Sequence, residues 1–119
     1  MITGLTIAAL LGTWNCTTPG EPLSRVRETY AHGGKAWRVY SISGKPSSAL
    51  HTEFTYAIES SQSRYDGYLI ARSPKGFPTR VRVHLHGNQL SQTAQQFFRE
   101  NEGWITSPDQ ETYYCTRER

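Results

Sequence analysis

GTWNCTT at residues 12–18 and ETYYCTRE at residues 111–118 are the two segments that decide the fold. Both are rich in Thr and aromatic residues and alternate in the way that is typical of half-buried β-strands. If they pair antiparallel, the register that places Cys16 opposite Cys115 also places Trp14 opposite Arg117, on the same face. Pairing of the first strand with the last closes a sheet into a barrel. We therefore expect a closed barrel whose seam carries a Cys–Cys pair and a Trp–Arg contact.

The rest of the 119-residue chain predicts further strands. Short segments rich in Val, Ile, Thr, Tyr, Phe and Trp are separated by clusters of turn residues. We predict eight strands, at residues 12–18, 24–31, 36–43, 49–59, 63–72, 79–86, 89–99 and 111–118. Their regular spacing favours an all-β fold, an eight-stranded antiparallel up-and-down barrel. The polar residues 92–100 are also compatible with a helix by propensity, and we interpret them as strand.

A short helix is predicted before the first strand, over residues 3–11. Thr3 is its expected N-cap, and Gly12 is expected to end it. The length of the chain suits one domain, and neither a repeat nor a linker divides residues 1–119. We therefore expect a single barrel domain.

The chain contains two cysteines, Cys16 and Cys115. This number excludes a metal site built from paired cysteines. We expect one disulfide between them, with two unpaired buried thiols as the alternative. A disulfide implies an oxidising compartment and hence a secreted or periplasmic protein. The apolar run at residues 7–11 has no basic residue before it and does not resemble a signal peptide, so a cytoplasmic location stays open.

Charge and hydropathy argue against two classes of partner. Thirteen Lys and Arg against ten Asp and Glu give a net charge of +3, which does not demand an anionic partner. Arg80, Arg82, His84 and His86 form a basic stripe on one strand face, which we interpret as a solvated surface; we expect no nucleic-acid partner. The longest apolar run is far shorter than the roughly 20 residues that span a bilayer, so we expect no membrane span. A monomer or a homodimer is expected.

Residues at the two ends of the chain resemble a known family. Gly12-Thr13-Trp14, at the start of the first strand and after a short helix, resembles the G-x-W signature of the lipocalin-like (calycin) barrels. Arg117 on the last strand resembles their base-closing arginine. The chain is most similar to short bacterial lipocalin-like proteins of uncharacterised function. The resemblance implies a barrel that binds a hydrophobic or aromatic molecule in its interior.

Alternation along the strands predicts which residues face the interior. They are Val26, Glu28, Tyr30, Trp37, Val39, Leu50, Thr52, Phe54, Tyr56, Ile58, Leu69, Ala71, Val81, Val83 and Leu85, with Phe98 and Trp104 in addition. We expect ligand contacts from Trp37, Val39, Phe54, Tyr56, Leu69, Val83, Leu85, Phe98 and Trp104. The alternative is that these side chains fill the barrel as a solid core.

Glu28 is the one carboxylate in this inward set. A carboxylate facing a barrel interior needs a partner, and Arg38 or a tyrosine hydroxyl could serve. In a wet cavity Glu28 would be a candidate general base, with Tyr30 or Tyr56 as hydrogen-bond donor. The alternative is that its strand has the opposite phase and that Glu28 is solvated.

Histidines give no convincing metal or cofactor site. His84 and His86 lie two residues apart on one strand face, but no third ligand is evident, and we interpret them as exposed. Nothing singles out one of the four histidines as a haem ligand. We therefore expect no metal and no cofactor.

Our leading hypothesis is a binding protein that holds a small hydrophobic or aromatic molecule. The second is a cofactor-free isomerase, cyclase or lyase that uses Glu28, Tyr30 and Tyr56 in the same cavity. The third is a protein without a cavity that acts through its outer surface. The sequence does not identify the ligand.

Overall fold

The computed structural model describes residues 4–18, 20–42, 45–74, 76–108 and 110–118, and of these it describes 21–24 and 45–50 through their backbone alone. Within these described residues, one helical turn, α1 (Ile7–Leu10), precedes nine strands. The strands are β1 (Gly12–Thr18), β2 (Glu21–Tyr30), β3 (Lys35–Ile42), β4 (Lys45–Ser63), β5 (Asp66–Arg72), β6 (Thr79–His86), β7 (Gln89–Arg99), β8 (Gly103–Thr106) and β9 (Thr112–Arg117). A 3₁₀ turn at His32–Gly34 joins β2 to β3.

Eight of the strands close into an antiparallel barrel. Each strand from β1 to β7 pairs with the next, and β9 pairs with both β7 and β1. The ninth strand, β8, pairs with residues 96–99 of β7 and extends the sheet outside the ring. The predicted all-β, eight-stranded barrel is therefore confirmed. The sequence did not predict β8, because a strand of four residues is too short to show a clear alternation of apolar and polar residues.

The predicted element bounds need small corrections. The helix covers Ile7–Leu10 and not residues 3–11, and its N-cap is Thr6, whose hydroxyl accepts a hydrogen bond from the Ala9 N–H at 3.3 Å. The predicted N-cap, Thr3, lies outside the described residues. Strand β4 is longer than expected, with 19 residues, because its first part pairs with β3 and its later part with β5. Residues 92–99 are strand, and the helical alternative is wrong.

The seam between β1 and β9 has the predicted register. Cys16 faces Cys115 and Trp14 faces Arg117, and the two cysteines form a disulfide. The Arg117 guanidinium carbon lies 4.2 Å from the centre of the Trp14 ring. Gly12 has φ +117°, and a Cβ there would lie 3.2 Å from this guanidinium, which explains a glycine two residues before Trp14.

Helix α1 covers one end of the barrel, which we call the closed end. The Nε1 of Trp14 donates to the carbonyl of Leu10 at 3.0 Å, and Arg117 donates to the carbonyls of Leu11 and Ala9. Leu10 and Trp14 are completely buried there. We call the other end, where Ser73, Phe77 and Tyr113 lie, the open end. Stacking, capping of the helix carbonyls and apolar burial together seal the closed end.

Candidate ligand cavity inside the barrel

A cavity of about 240 Å³ lies inside the barrel, toward the open end. Its walls come from the inward residues of six strands and from the loop before β6. They are Arg38, Thr52, Phe54, Ala71, Ser73, Phe77, Thr79, Val81, Gln92, Ala94 and Tyr113. The interior is therefore not filled along its whole length, and the barrel could hold a ligand.

Several predicted lining residues lie below this cavity, in the packed core. Tyr56, Leu69, Val83 and Leu85 are buried, and Leu90 packs with them. Of the expected ligand contacts, Phe54 lines the cavity, as do the inward residues Thr52, Ala71 and Val81. The side chain of Leu50 lies outside the described residues. A packed lower part and a hollow upper part thus share one barrel.

The expected inward placement of Trp37 and Val39 is wrong. Glu28 pairs with Arg38 across β2 and β3, and this pairing puts Ala36, Arg38 and Tyr40 on the inner face. Trp37 lies on the outer face with 37% of its surface exposed. The prediction placed the most apolar residues of β3 inside the barrel. Arg38 instead faces inward because it forms the ion pair with Glu28, and Trp37 and Val39 therefore face outward.

The expected inward placement of Phe98 and Trp104 is also wrong, and a β-bulge explains the error. Val81 pairs with Ala94 but Arg80 pairs with Gln96, so one extra residue of β7 reverses its alternation. Beyond the bulge Phe97 faces Thr79, while Phe98 points outward and contacts Trp104 with ring centres 5.5 Å apart. The Arg80 guanidinium carbon lies 4.1 Å from the Trp104 ring centre on the same outer face.

Glu28 anchors a polar cluster beside the cavity, and two of its partners, Arg38 and Gln92, line the cavity. Its side chain is only 1% exposed. One carboxylate oxygen accepts hydrogen bonds from the Tyr30 hydroxyl and, at 3.2 Å, from Gln92 Nε2. The other accepts from Nε of Arg38 at 3.0 Å and lies 3.0 Å from an Nη of the same residue. The predicted inward phase of Glu28 and its predicted partners, Arg38 and a tyrosine, are confirmed.

The cluster fixes the protonation of Tyr30 and of Arg38. Burial raises the pKa of Tyr30 well above the ordinary tyrosine value, and the nearby Glu28 carboxylate raises it further. Burial lowers the pKa of the Arg38 guanidinium, but the attraction of Glu28 more than offsets this and leaves the pKa raised. Tyr30 is thus held as a neutral hydrogen-bond donor and Arg38 as a cation.

Tyr56 does not join this cluster through its hydroxyl. That hydroxyl donates to the carbonyl of Ala31 at 2.9 Å, and burial raises its pKa. Its ring meets the Tyr30 ring edge-on, with centres 4.9 Å apart. The three residues that we named as catalytic candidates are therefore in contact, but Tyr56 acts through ring packing.

Arg38 separates the buried carboxylate from the cavity. Its side chain is 38% exposed although it projects from the inner face of β3. The rings of Phe54 and Tyr113 have their centres 5.7 Å and 5.8 Å from its guanidinium carbon. The surface that the cavity presents to a ligand at this point is therefore cationic and flanked by aromatic rings.

Sequence reasoning missed Gln92 and Tyr113 as cavity residues. Gln92 is 2% exposed, and its Nε2 also donates to the Tyr30 hydroxyl at 2.7 Å. It lies in a polar segment, so its composition gives no sign of burial. The strand register places Gln92 on the inner face, because it pairs with Val83 of β6 and with Tyr113 of β9, which both face the interior.

The basic stripe lies on the outer surface, and its arginines are paired with carboxylates. Arg80 binds Glu59 at 2.7 Å and Arg82 binds Asp66 at 3.3 Å. His84 and His86 are exposed on the same face. Among the described residues, no three side chains of His, Cys, Asp or Glu are grouped to hold a metal ion.

The architecture is compatible with a lipocalin-like fold. In the part of the chain that the structure describes, no helix has the length and apolar character needed to cross a bilayer. A scan against protein-family models, a search of curated proteins and a search of solved structures each found no match to this chain.

Proposed function

We propose that this protein binds one small, mostly apolar molecule in the cavity at the open end of the barrel. The observation that carries the proposal is the unfilled space of about 240 Å³ among Phe54, Ala71, Val81 and Ala94, with Arg38 in its wall. Closely packed protein interiors contain few voids larger than a water molecule. A space of this size, with apolar walls and a few polar groups, has the character of a ligand site.

The volume limits the ligand. Typical ligand pockets measure roughly 300–1,000 Å³, so this cavity is small. It corresponds to roughly eight water molecules of liquid volume. A molecule with one aromatic ring and a short side chain, or a short aliphatic chain, suits this space.

The geometry favours binding over catalysis by Glu28. Its carboxylate is engaged by Tyr30, Gln92 and two nitrogens of Arg38, and it is not among the residues that line the cavity. A general base must reach the proton that it removes. Glu28 instead fits the role of a positioning residue, which holds Arg38 and Gln92 at the cavity wall.

We further propose that the chain acts as one domain, as a monomer or homodimer, in an oxidising compartment. The Cys16–Cys115 disulfide supports such a compartment, because reducing compartments keep most thiols free. A secreted or periplasmic protein fits this proposal.

Two measurements test the binding proposal. Native mass spectrometry of the purified, non-reduced protein detects any co-purified molecule that is lost on denaturation. Calorimetric titration with 3-phenylpropan-1-ol, a neutral one-ring probe, measures binding directly. Ala71→Phe fills the cavity and should weaken binding of the alcohol by roughly tenfold or more.

Ala57→Phe is the matched control. Ala57 is exposed on β4 and faces outward with Ile70, so the same added ring should leave the affinity unchanged. Equal affinity of the wild type and Ala71→Phe would place the bound molecule elsewhere and overturn the proposal. The absence of both a co-purified molecule and titratable binding would overturn it too.

A further inference from the structure

We infer that the cavity ligand carries a carboxylate. This carboxylate accepts hydrogen bonds from those N–H groups of the Arg38 guanidinium that do not contact Glu28. This inference rests on the proposed function, since it specifies the polar end of the molecule that the cavity would hold. The ligand class is thus a small aromatic or short aliphatic carboxylic acid.

Arg38 has hydrogen-bonding capacity that Glu28 does not use. A guanidinium has five N–H donors in a rigid, planar arrangement. Nε and one Nη of Arg38 both approach the same oxygen of Glu28, each at 3.0 Å. These contacts occupy one edge of the guanidinium. Three N–H groups remain, including those along the outer edge, and that edge has the geometry that binds a carboxylate through two parallel hydrogen bonds.

The Glu28–Arg38 ion pair presents its positive member to the cavity. Glu28 is 1% exposed and Arg38 is 38% exposed, so the negative member is buried and the positive member meets solvent. Arg38 lines the cavity, whereas Glu28 does not. Although the pair is neutral as a whole, a ligand in the cavity is closest to the positive charge, and Coulomb attraction falls with distance.

The composition of the cavity wall also favours an anion. Among its described residues, Arg38 is the one charged side chain, so no lining carboxylate repels an anion. Thr52, which pairs with Arg38 across β3 and β4, also lines the cavity and adds a hydroxyl. Partial exclusion of water by the surrounding rings strengthens a charge-assisted hydrogen bond relative to one in open solvent.

The rest of the cavity suits an apolar tail. Apolar side chains form another part of the cavity wall, namely those of Phe54, Ala71, Val81 and Ala94. Phe77 lines the cavity from the loop before β6 and is 56% exposed, so it stands where the cavity meets solvent. A ligand with its acid at Arg38 would direct its ring or chain toward Phe77.

A matched set of probes tests the inference on the wild-type protein. The probes are 3-phenylpropanoate, 3-phenylpropanamide and 3-phenylpropan-1-ol, which share a ring and chain and differ in the polar end. In calorimetric titrations at neutral pH, we expect the carboxylate to bind roughly tenfold or more tightly than either neutral probe. Similar affinities for all three would overturn the inference while leaving the proposed function intact. Failure of every probe, with no co-purified molecule, would remove the proposed function and this inference with it.

Variants locate the effect. Arg38→Gln should lose the carboxylate preference and bind the carboxylate and the alcohol within about twofold of each other. Circular dichroism shows whether the variant is folded. If Arg38→Gln does not fold because Glu28 has lost its partner, the double variant Glu28→Gln with Arg38→Gln removes both charges and makes the same comparison. Arg82→Gln, on the outer face, is the control and should keep the wild-type preference. A carboxylate preference that survives in a folded variant without Arg38 would overturn the assignment.

Discussion

The two ends of the barrel use their inward side chains differently. At the closed end, Trp14 and Leu10 are completely buried, and the Arg117 guanidinium lies against the Trp14 ring. Toward the open end, the inner wall surrounds a cavity and carries a cation. One barrel can therefore concentrate its stability at one end. The free energy gained by burying apolar side chains at the closed end compensates for the apolar wall that stays uncovered around the cavity.

The largest expected effect is loss of the seam disulfide. Cys16 and Cys115 are 99 residues apart, and in the chain-entropy account a cross-link over such a loop contributes roughly 4 to 5 kcal/mol. Replacing both by Ser should lower the free energy of unfolding by up to about this amount, measured in a denaturant titration. Adding a reductant to the wild type should give a similar loss. No change in either experiment would show that β1 and β9 are held by packing alone.

Trp14→Ala should have the next largest effect. Trp14 is completely buried and carries the Arg117 contact and the hydrogen bond to Leu10. We expect a loss of about 3 to 5 kcal/mol, as for other buried aromatic truncations, by denaturant unfolding. Trp37→Ala is the control, because Trp37 lies on the outer face and is 37% exposed; it should cost below about 1.5 kcal/mol. Equal losses would contradict the distinction between the buried closed end and the outer wall.

Glu28→Gln tests the boundary between the two regions. We expect the fold to persist with a loss of about 1 to 3 kcal/mol in the free energy of unfolding, since the amide keeps part of the hydrogen bonding. We also expect a change in ligand affinity. Arg38 loses its counter-charge in this variant, so the affinity for 3-phenylpropanoate should rise by a few fold in calorimetry.

Glu59→Gln is the matched control for this experiment. Glu59 pairs with Arg80 on the outer surface, so its replacement should leave binding unchanged. Unchanged ligand binding in Glu28→Gln would dispose of any role for Glu28 at the cavity.

The sequence predicted the seam and the ring of strands well because both depend on local patterns. Two cysteines and a Trp–Arg pair that share one register leave little freedom for the first and last strands. The cavity wall was harder to predict, since a strand's phase depends on its neighbours. An arginine inside β3 and a bulge after Ala94 each reverse the face that hydrophobicity alone suggests, which misplaced Trp37 and Phe98. Buried polar residues such as Gln92 carry no hydrophobic signal at all.

The smallest expected effect concerns alkaline pH. The raised pKa of Tyr30 means that the folded protein holds this phenolic proton more tightly than the unfolded chain does. Its contribution to stability is therefore fully present below about pH 10 and is lost as the pH rises toward the pKa of the folded state. In denaturant titrations at about pH 8 and about pH 11, Tyr30→Phe should lose less stability between the two conditions than the wild type loses. Part of the loss of stability at high pH should remain in Tyr30→Phe, because the pKa of Tyr56 is raised as well.

Tyr114→Phe is the control. It changes a side chain that is exposed on the outer face, and it should lose as much stability as the wild type does. If Tyr30→Phe shows the full wild-type loss, the phenolic proton of Tyr30 is not held by the polar cluster.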